Sequence, residues 1–434
     1  MLYTAVDDRL KPLSESSGCT IGSGTQSRPR FIMQADQTHE VKHTHPQLRR
    51  HPKTSKSEDT MNRIIIKITH AILALAALLW LPVPAFAAGV PEELTETNPK
   101  VHGVIRVQNA VTPALMKIPD ILGTAVGLDD QGQVALVVYV NSEGKNHGEV
   151  VRALPKRMRG ANAAVEANVV VELTEPFRAL QRIEPTDGGA GHRPKQTPPI
   201  QLGTSGGWRY DLANGYCCGG TLGSLVNIGG TQYILSNYHV LESDIVNGGN
   251  GMTAVAGTPV IQPGLIDVLC DADSAQNVAT LSGIKSLPGS NVDAAIAPVI
   301  AGMVRTDGSI IDIGTISATT VAASVGKAVK KSGRTTGLTR SSVSGLNATV
   351  SVAYDNECAG GAAFTKTYTG QILVKNRNRG TSFIAGGDSG SLMVEDVSTN
   401  PRAVGLLFAG SSTTAVANPI GQVLSFFGAT MVGQ

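Results

Sequence analysis

Three short stretches of this chain carry side chains that could together cleave an acyl bond. The first is Ala385-Gly386-Gly387-Asp388-Ser389-Gly390-Ser391-Leu392. A nucleophilic serine needs its hydroxyl on a tight turn beside converging backbone N–H groups, and glycine on both sides permits that turn. The N–H groups of Gly387 and Ser389 would hold the oxyanion that develops in acyl transfer, an effect worth about 2.7–4 kcal/mol per donor. Taken alone, the run is equally an ordinary Gly-Asp-Ser turn. An unactivated hydroxyl also needs a base, and Tyr233-Ile234-Leu235-Ser236-Asn237-Tyr238-His239-Val240 delivers an imidazole off a strand end. His239 is the only histidine after His192, which sets it apart from an ordinary packing histidine. The imidazole in turn needs a buried carboxylate to fix its tautomer, and Asp293 stands alone in Asn291-Val292-Asp293-Ala294-Ala295-Ile296-Ala297. A buried unpaired carboxylate is costly, so an acid there implies a dedicated partner. The plainer alternative is a strand-edge aspartate capping a turn after Asn291.

With Cys218-Gly219-Gly220-Thr221-Leu222 running towards Ile234-Leu235-Ser236-Asn237-Tyr238-His239, these stretches resemble the chymotrypsin-like (trypsin-like) serine endopeptidases, in a bacterial-type secreted form. The resemblance covers about residues 208–434. It implies a mainly β fold, a chymotrypsin-like double β-barrel, and the residues ahead of that span read from their own pattern as a small α/β module. It also implies a triad of His239, Asp293 and Ser389: Ser389 attacks, His239 shuttles the proton, Asp293 orients the imidazole, and an acyl-enzyme forms. Gly387 and Ser389 would make the oxyanion hole. Phe383 falls where the family floors its primary specificity pocket, and Leu407, Phe408, Ala409 and Gly410 where it lines the wall, which implies cleavage after small or apolar residues. Phe383 is equally readable as a strand residue that never meets substrate. His239 is followed by Val240 where many members place a cysteine, so Cys218 is left free or paired with Cys270 or Cys358. No Ile-Val-Gly-Gly-like start precedes the β region, so Asp388 is expected to bond to local backbone. A protein or peptide is the expected substrate, with no cofactor and no metal. The alternatives are a protease-fold binding or scaffold protein without turnover, and an esterase using the same triad.

Other motifs point to less. Gly203-Thr204-Ser205-Gly206-Gly207 matches a nucleophile elbow, but a Pro-rich stretch precedes it and Trp208-Arg209-Tyr210 follows, where the elbow needs strand and helix. Asp267, Asp271 and Asp273 suggest calcium, yet the loop glycine and distal glutamate are missing, so a solvated acidic loop is expected. Residues 327–337 lack the order of a phosphate loop and belong, on the resemblance, to a strand and turn of the second barrel.

The elements that must position these groups read as strands. Charged residues make up 16% and glycine numbers 49, and short apolar runs at 221–226, 232–237, 293–299, 328–332, 342–352, 370–374, 391–395 and 403–409 are broken by turn residues. Residues 88–183 form the α/β module, a pro-segment candidate, with a helix over 107–121, strands over 123–140, a helix near 150–159 and a strand over 165–173. A linker is expected over 184–207. The formal net charge of +2 and the absence of a basic block argue against nucleic acid. Residues 61–87 read as an export signal: a basic start, a continuous apolar run over 71–81 and Ala85-Phe86-Ala87. That predicts a secreted or periplasmic protein with no stable membrane anchor once the signal is cut. Residues 1–60 then form a disordered leader, with Met61 the expected initiator, and the histidines at 39, 43, 45 and 51 are read as part of that leader. Outside the leader four cysteines remain, which makes one or two disulfides expected.

Overall fold

Asn98 sets the start of the first helix, because its side chain accepts from the Lys100 N–H at 2.9 Å and Pro99 occupies the first helical position. This computed structural model describes residues 92–160, 165–179, 189–213, 216–242, 254–354, 364–378 and 381–434. The leader, the export signal, Cys19 and Cys358 lie outside the described residues. Helix α1, Pro99–Leu115, buries Val101, Val104, Val107 and Leu115 along one face. It starts and stops upstream of the expected 107–121 helix, whose last residue opens strand β1, Ile121–Leu128. Strand β2, Val134–Asn141, completes an antiparallel pair. The helix expected near 150–159 is helix α2, His147–Ala153. Pro155 disfavours helical geometry at Leu154, which is extended at ψ 127°, and the remaining residues become β3, Arg157–Arg159, beside β4, Glu166–Thr174. A short β5, Phe177–Ala179, follows.

The stretch expected as a linker is built into the core from residue 189 onward. Ile200 and Leu202 are buried with Trp208, Leu222 and Val304, and Thr204–Trp208 is strand β6. The Pro and Gly content of this stretch hides two large aliphatic side chains whose burial outweighs the turn signals, at about 1.5–3 kcal/mol each.

Two four-stranded sheets wrap the first barrel's core. They use β6, β9 (Gly220–Leu222), β10 (Ser224–Ile228), β11 (Thr231–Ser236), β12 (Pro259–Gln262), β13 (Gln276–Thr280) and β14 (Ala295–Pro298), while β7 (Leu212–Ala213) and β8 (Tyr216–Cys217) pair only with each other. One sheet runs β13-β12-β6-β9. The other runs β14-β11-β10 and then takes in β25 (Thr430–Met431) from the far end of the chain. The expected strand over 221–226 is two strands broken at Gly223, where the Gly390 carbonyl lies too close for any side chain.

The second barrel follows one short pair, β15 (Ser309–Ile310) with β16 (Gly314–Thr315), and carries another, β20 (Arg377–Asn378) with β21 (Thr381–Ser382), between its own strands. Its strands are β17 (Ala328–Gly333), β18 (Gly337–Tyr354), β19 (Phe364–Lys375), β22 (Leu392–Glu395), β23 (Ala403–Gly410) and β24 (Thr414–Pro419). The order β17-β22-β23-β24-β19-β18 closes on itself through a β17–β18 pairing, which removes the exposed edges. β18 alternates buried and partly buried residues up to Tyr354, and both β18 and β19 overshoot the barrel. β18 also pairs with β1, so the N-terminal sheet continues the second barrel's sheet. The fold is mainly β, a double barrel with an α/β module joined to it.

Candidate active site

His239 leaves β11 on a single helical turn, α3 (Tyr238–Leu241), while Asp293 arrives two residues before β14. β11 and β14 are hydrogen-bonded neighbours, with Ser236 opposite Ala295, so the register of one strand pair brings the two side chains together. His239 Nδ1 lies 2.6 Å from Asp293 Oδ2. The carboxylate is fully buried and well supplied with donors. Tyr238 N–H and His239 N–H reach Oδ1 at 2.8 and 3.4 Å, and Tyr354 Oη donates to Oδ2 at 2.8 Å. The backbone around it is held too: Asn237 Nδ2 donates to Asp293 O at 2.6 Å, and Asp293 N–H donates to Asn418 Oδ1 at 2.9 Å. A carboxylate only accepts, so Nδ1 carries the proton and Nε2 is left as the acceptor. Nε2 is buried and finds no hydrogen-bond partner among the described residues.

Ser389 is the next member. Its carbonyl accepts from Thr221 N–H at 2.8 Å, and Ser236 Oγ, at the end of β11, donates to Thr221 O at 2.7 Å. These contacts fasten the serine turn of the second barrel to the first barrel beside the histidine strand. The Ser389 hydroxyl donates to the Phe408 carbonyl at 3.4 Å and is not hydrogen-bonded to His239. Gly387 sits at φ +91° with the Arg334 and Thr335 side chains against its Cα, where any Cβ would collide. Asp388 N–H is tied to Ala385 O and Gly390 N–H to Leu407 O, while the N–H groups of Gly387 and Ser389 donate to nothing among the described residues.

Asp388 bonds to local backbone, accepting from the N–H groups of Thr335, Thr336 and Ala385 at 2.9–3.1 Å. Sequence reasoning missed its cation. Lys331 on β17 is fully buried with its Nζ 3.3 Å from Asp388 Oδ2, and it also donates to Gly337 O at 3.0 Å and to Thr336 Oγ1. Burial pushes the Lys331 ammonium below the usual lysine range, and the Asp388 charge opposes that shift. No sequence signal marks Lys331, because β17 reads only as a short strand.

The expected pocket residues are all buried. Phe383 lies in the hydrophobic core with Ile384, Met393 and Leu407. The Phe408 ring stacks near that of Tyr368, 4.9 Å between centres, so its side chain backs the aspartate side of the site and presents only its carbonyl to Ser389. Gly410 and Ala409 pair antiparallel with Arg178 and Ala179 of β5, which also runs parallel to β18. Thr174 Oγ1 meets Ser411 Oγ at 2.6 Å, and Ser412 donates to Glu175. The last strand of the module therefore lies along the strand where a pocket wall was expected.

The remaining candidates resolve otherwise. Ser205 is a strand residue that donates to Asp267 Oδ2 at 2.6 Å, and no helix follows it. The Asp267 side chain is largely covered rather than solvated and makes a two-pronged ion pair with Arg334 at 2.6 and 2.7 Å, while Asp273 meets Arg209 at 2.6 Å. Among the described residues no group of three His, Cys, Asp or Glu is placed to hold a metal ion. Cys217 is bonded to Cys270, which rules out a Cys218–Cys270 bridge, and Cys218 is disulfide-bonded as well. No helix of the described residues is long and apolar enough to cross a membrane.

The family model for the Nal1 C-terminal domain matches residues 291–418, less than a third of the chain, a span with Asp293 and Ser389 but without His239. Thermobifida fusca protease A is similar in structure at 22% identity, covering 54% of this chain and 99% of its own, with a TM-score of 0.35. Cellulomonas bogoriensis chymotrypsin is similar at 22% identity, 54% and 99% coverage and a TM-score of 0.34. A homologue of alpha-lytic protease, N4, is similar at 20% identity, 53% and 98% coverage and a TM-score of 0.35. No curated protein matches the chain in sequence.

Proposed function

We propose that this chain is an exported serine endopeptidase in which Ser389 attacks the scissile carbonyl, His239 shuttles the proton and Asp293 orients the imidazole. The observation that carries the reading is the buried His239–Asp293 bond at 2.6 Å, with Nε2 left as an acceptor without a partner among the described residues. A neutral imidazole held in that tautomer is a general base awaiting a proton donor. The open N–H groups of Gly387 and Ser389 suit an oxyanion. Attack requires the Ser389 hydroxyl to turn from the Phe408 carbonyl towards Nε2. An acyl-enzyme forms at Ser389 Oγ as His239 takes its proton and then gives it to the leaving amine, and water reverses the sequence.

The cysteine pairing supports residence in an oxidising compartment. Export through residues 61–87 remains part of the same proposal, as does a pro-segment role for residues 88–183. β5 supports that role, since an extended segment added to the edge of β23 lies as a peptide substrate would. Buried apolar Ile384 against Gly410, with Phe383 buried beside it in the chain, fits small or apolar side chains at the cleavage site.

A second reading, a protease-fold binding protein, is favoured by one observation: Ser389 bonds to Phe408 O and not to His239. Incubating the purified, processed protein with a peptide library and with a matched ester, beside Ser389→Ala, separates the readings. Peptide cleavage that vanishes in the variant is expected. Ester turnover alone points to an esterase, and no turnover of either leaves the binding reading.

A further inference from the structure

Asp293 carries more than a triad acid needs from its own barrel, because one of its donors comes from the other barrel. Tyr354 ends β18, whereas His239 and Asp293 flank β11 and β14. Its hydroxyl reaches Asp293 Oδ2 at 2.8 Å, the same oxygen that faces His239 Nδ1, and it meets the Tyr368 hydroxyl of β19 on its other side. Both tyrosines are fully buried. Phenylalanine would fill the same volume, so packing alone does not explain two hydroxyls. Proton accounting fixes the direction of the chain. Ionised Asp293 has no proton to give, so Tyr354 donates its one proton to Asp293, and Tyr368 donates to the Tyr354 oxygen.

We infer that Tyr354 and Tyr368 are positioning residues for the acid, a hydroxyl relay that holds Asp293 Oδ2 and shares its charge with His239. The inference rests on the endopeptidase reading for its kinetic consequence, not for its geometry. Burial and the Asp293 charge push both tyrosines up, so they stay protonated donors through the working pH range. The charged and titratable groups facing the pair are Asp293 and His239 from the first barrel, and the Lys366 ammonium 5.3 Å from the Tyr368 ring centre on β19. A carboxylate with one donor removed leans harder on the imidazolium, so protonation of His239 becomes easier. Hydrogen bonds in linked chains also strengthen one another, so the outer hydroxyl acts through the inner one.

The test is Tyr354→Phe and Tyr368→Phe in the full chain, with two readouts. NMR titration of the His239 ring needs no turnover, and its midpoint is expected to move to higher pH in Tyr354→Phe and by less, in the same direction, in Tyr368→Phe. In kinetics, the acid limb of kcat/KM moves the same way and kcat falls about tenfold or more at unchanged KM, the scale of a hydrogen bond to a charged group. Titration midpoints that match the wild type in both variants overturn the inference, as does a fall in kcat with the midpoints unmoved, which is the mark of a packing role. If Tyr354→Phe does not fold, the Tyr368→Phe midpoint decides alone. If the wild type has no turnover, the endopeptidase reading fails by itself and the NMR result still decides this one.

Discussion

The two halves of the site differ in how finished they are. Asp293 and His239 form a closed set, with each carboxylate oxygen and Nδ1 engaged. The serine turn holds a buried hydroxyl on a long 3.4 Å bond and two N–H groups without acceptors among the described residues. The two buried aspartates differ in the same way. Asp293 is held by donors from both barrels and no cation, whereas Asp388 has a buried ammonium beside it. The difference teaches that Asp293 and His239 are brought together by strand register and held by groups from both barrels, while the Ser389 turn is braced from behind by charge and left open in front. An open front is what a reacting carbonyl would fill, since catalytic hydrogen bonds tighten when substrate arrives.

The comparison breaks most sharply at the residues that should react. Ser389→Ala and His239→Ala are expected to abolish nearly all peptide turnover, a loss of about 10⁶ in kcat by analogy with another serine protease. Asp293→Asn should cost about 10⁴, because the amide favours the wrong tautomer, again by analogy with the general triad template. Rates within tenfold of wild type for any of the three contradict the assignment.

Lys331→Met tests the brace. Removing one partner of a buried pair leaves Asp388 uncompensated, which should destabilise the fold by about 3–5 kcal/mol in chemical denaturation and lower kcat more than KM. In the intact protein the ammonium is needed as a cation and is pushed below the usual lysine range. Activity should therefore fall on the alkaline side before pH reaches about 10.4, the value of a free lysine. A flat profile through pH 10 separates Lys331 from the turn.

The smallest effect lies at the end of α3. Glu242 is buried with no hydrogen-bond partner for either oxygen among the described residues, and burial, opposed by Lys285, pushes its carboxyl up to about 8. The folded protein then keeps a proton that the unfolded chain loses above about 4.3. The contribution to stability is complete below that pH and is lost as pH rises through 8. Glu242→Gln mimics the protonated form and should raise Tm by a few degrees at pH 9 with little change at pH 4.5. An unchanged Tm at pH 9 removes Glu242 from the account.

The legibility of the sequence followed the same division. His239 and Asp293 stand out because each follows or sits in an apolar run, and Ser389 because glycines flank its Asp-Ser step, while the strands around them announce themselves as short apolar runs broken by turn residues. Tyr354 and Lys331 do not, because they occupy inward positions of β18 and β17 where a tyrosine or a lysine stem reads as ordinary strand content. Only the barrel closure, a long-range fact, turns them towards the two aspartates. The 189–207 stretch misled for a related reason: its Pro and Gly residues are local signals, whereas the burial of Ile200 and Leu202 depends on partners such as Val304 far along the chain. Phe408 lies on β23, but its side chain faces Tyr368, and facing is set by the pleat rather than by the residue's place in a motif.

The most direct test of the central claim is intact-mass analysis and peptide mapping after treating the wild-type protein with a fluorophosphonate, beside His239→Ala. The account predicts one adduct per chain, mapped to Ser389, and its near loss in the histidine variant. No adduct on Ser389 in folded, processed protein, or an adduct that forms equally fast without His239, would contradict it.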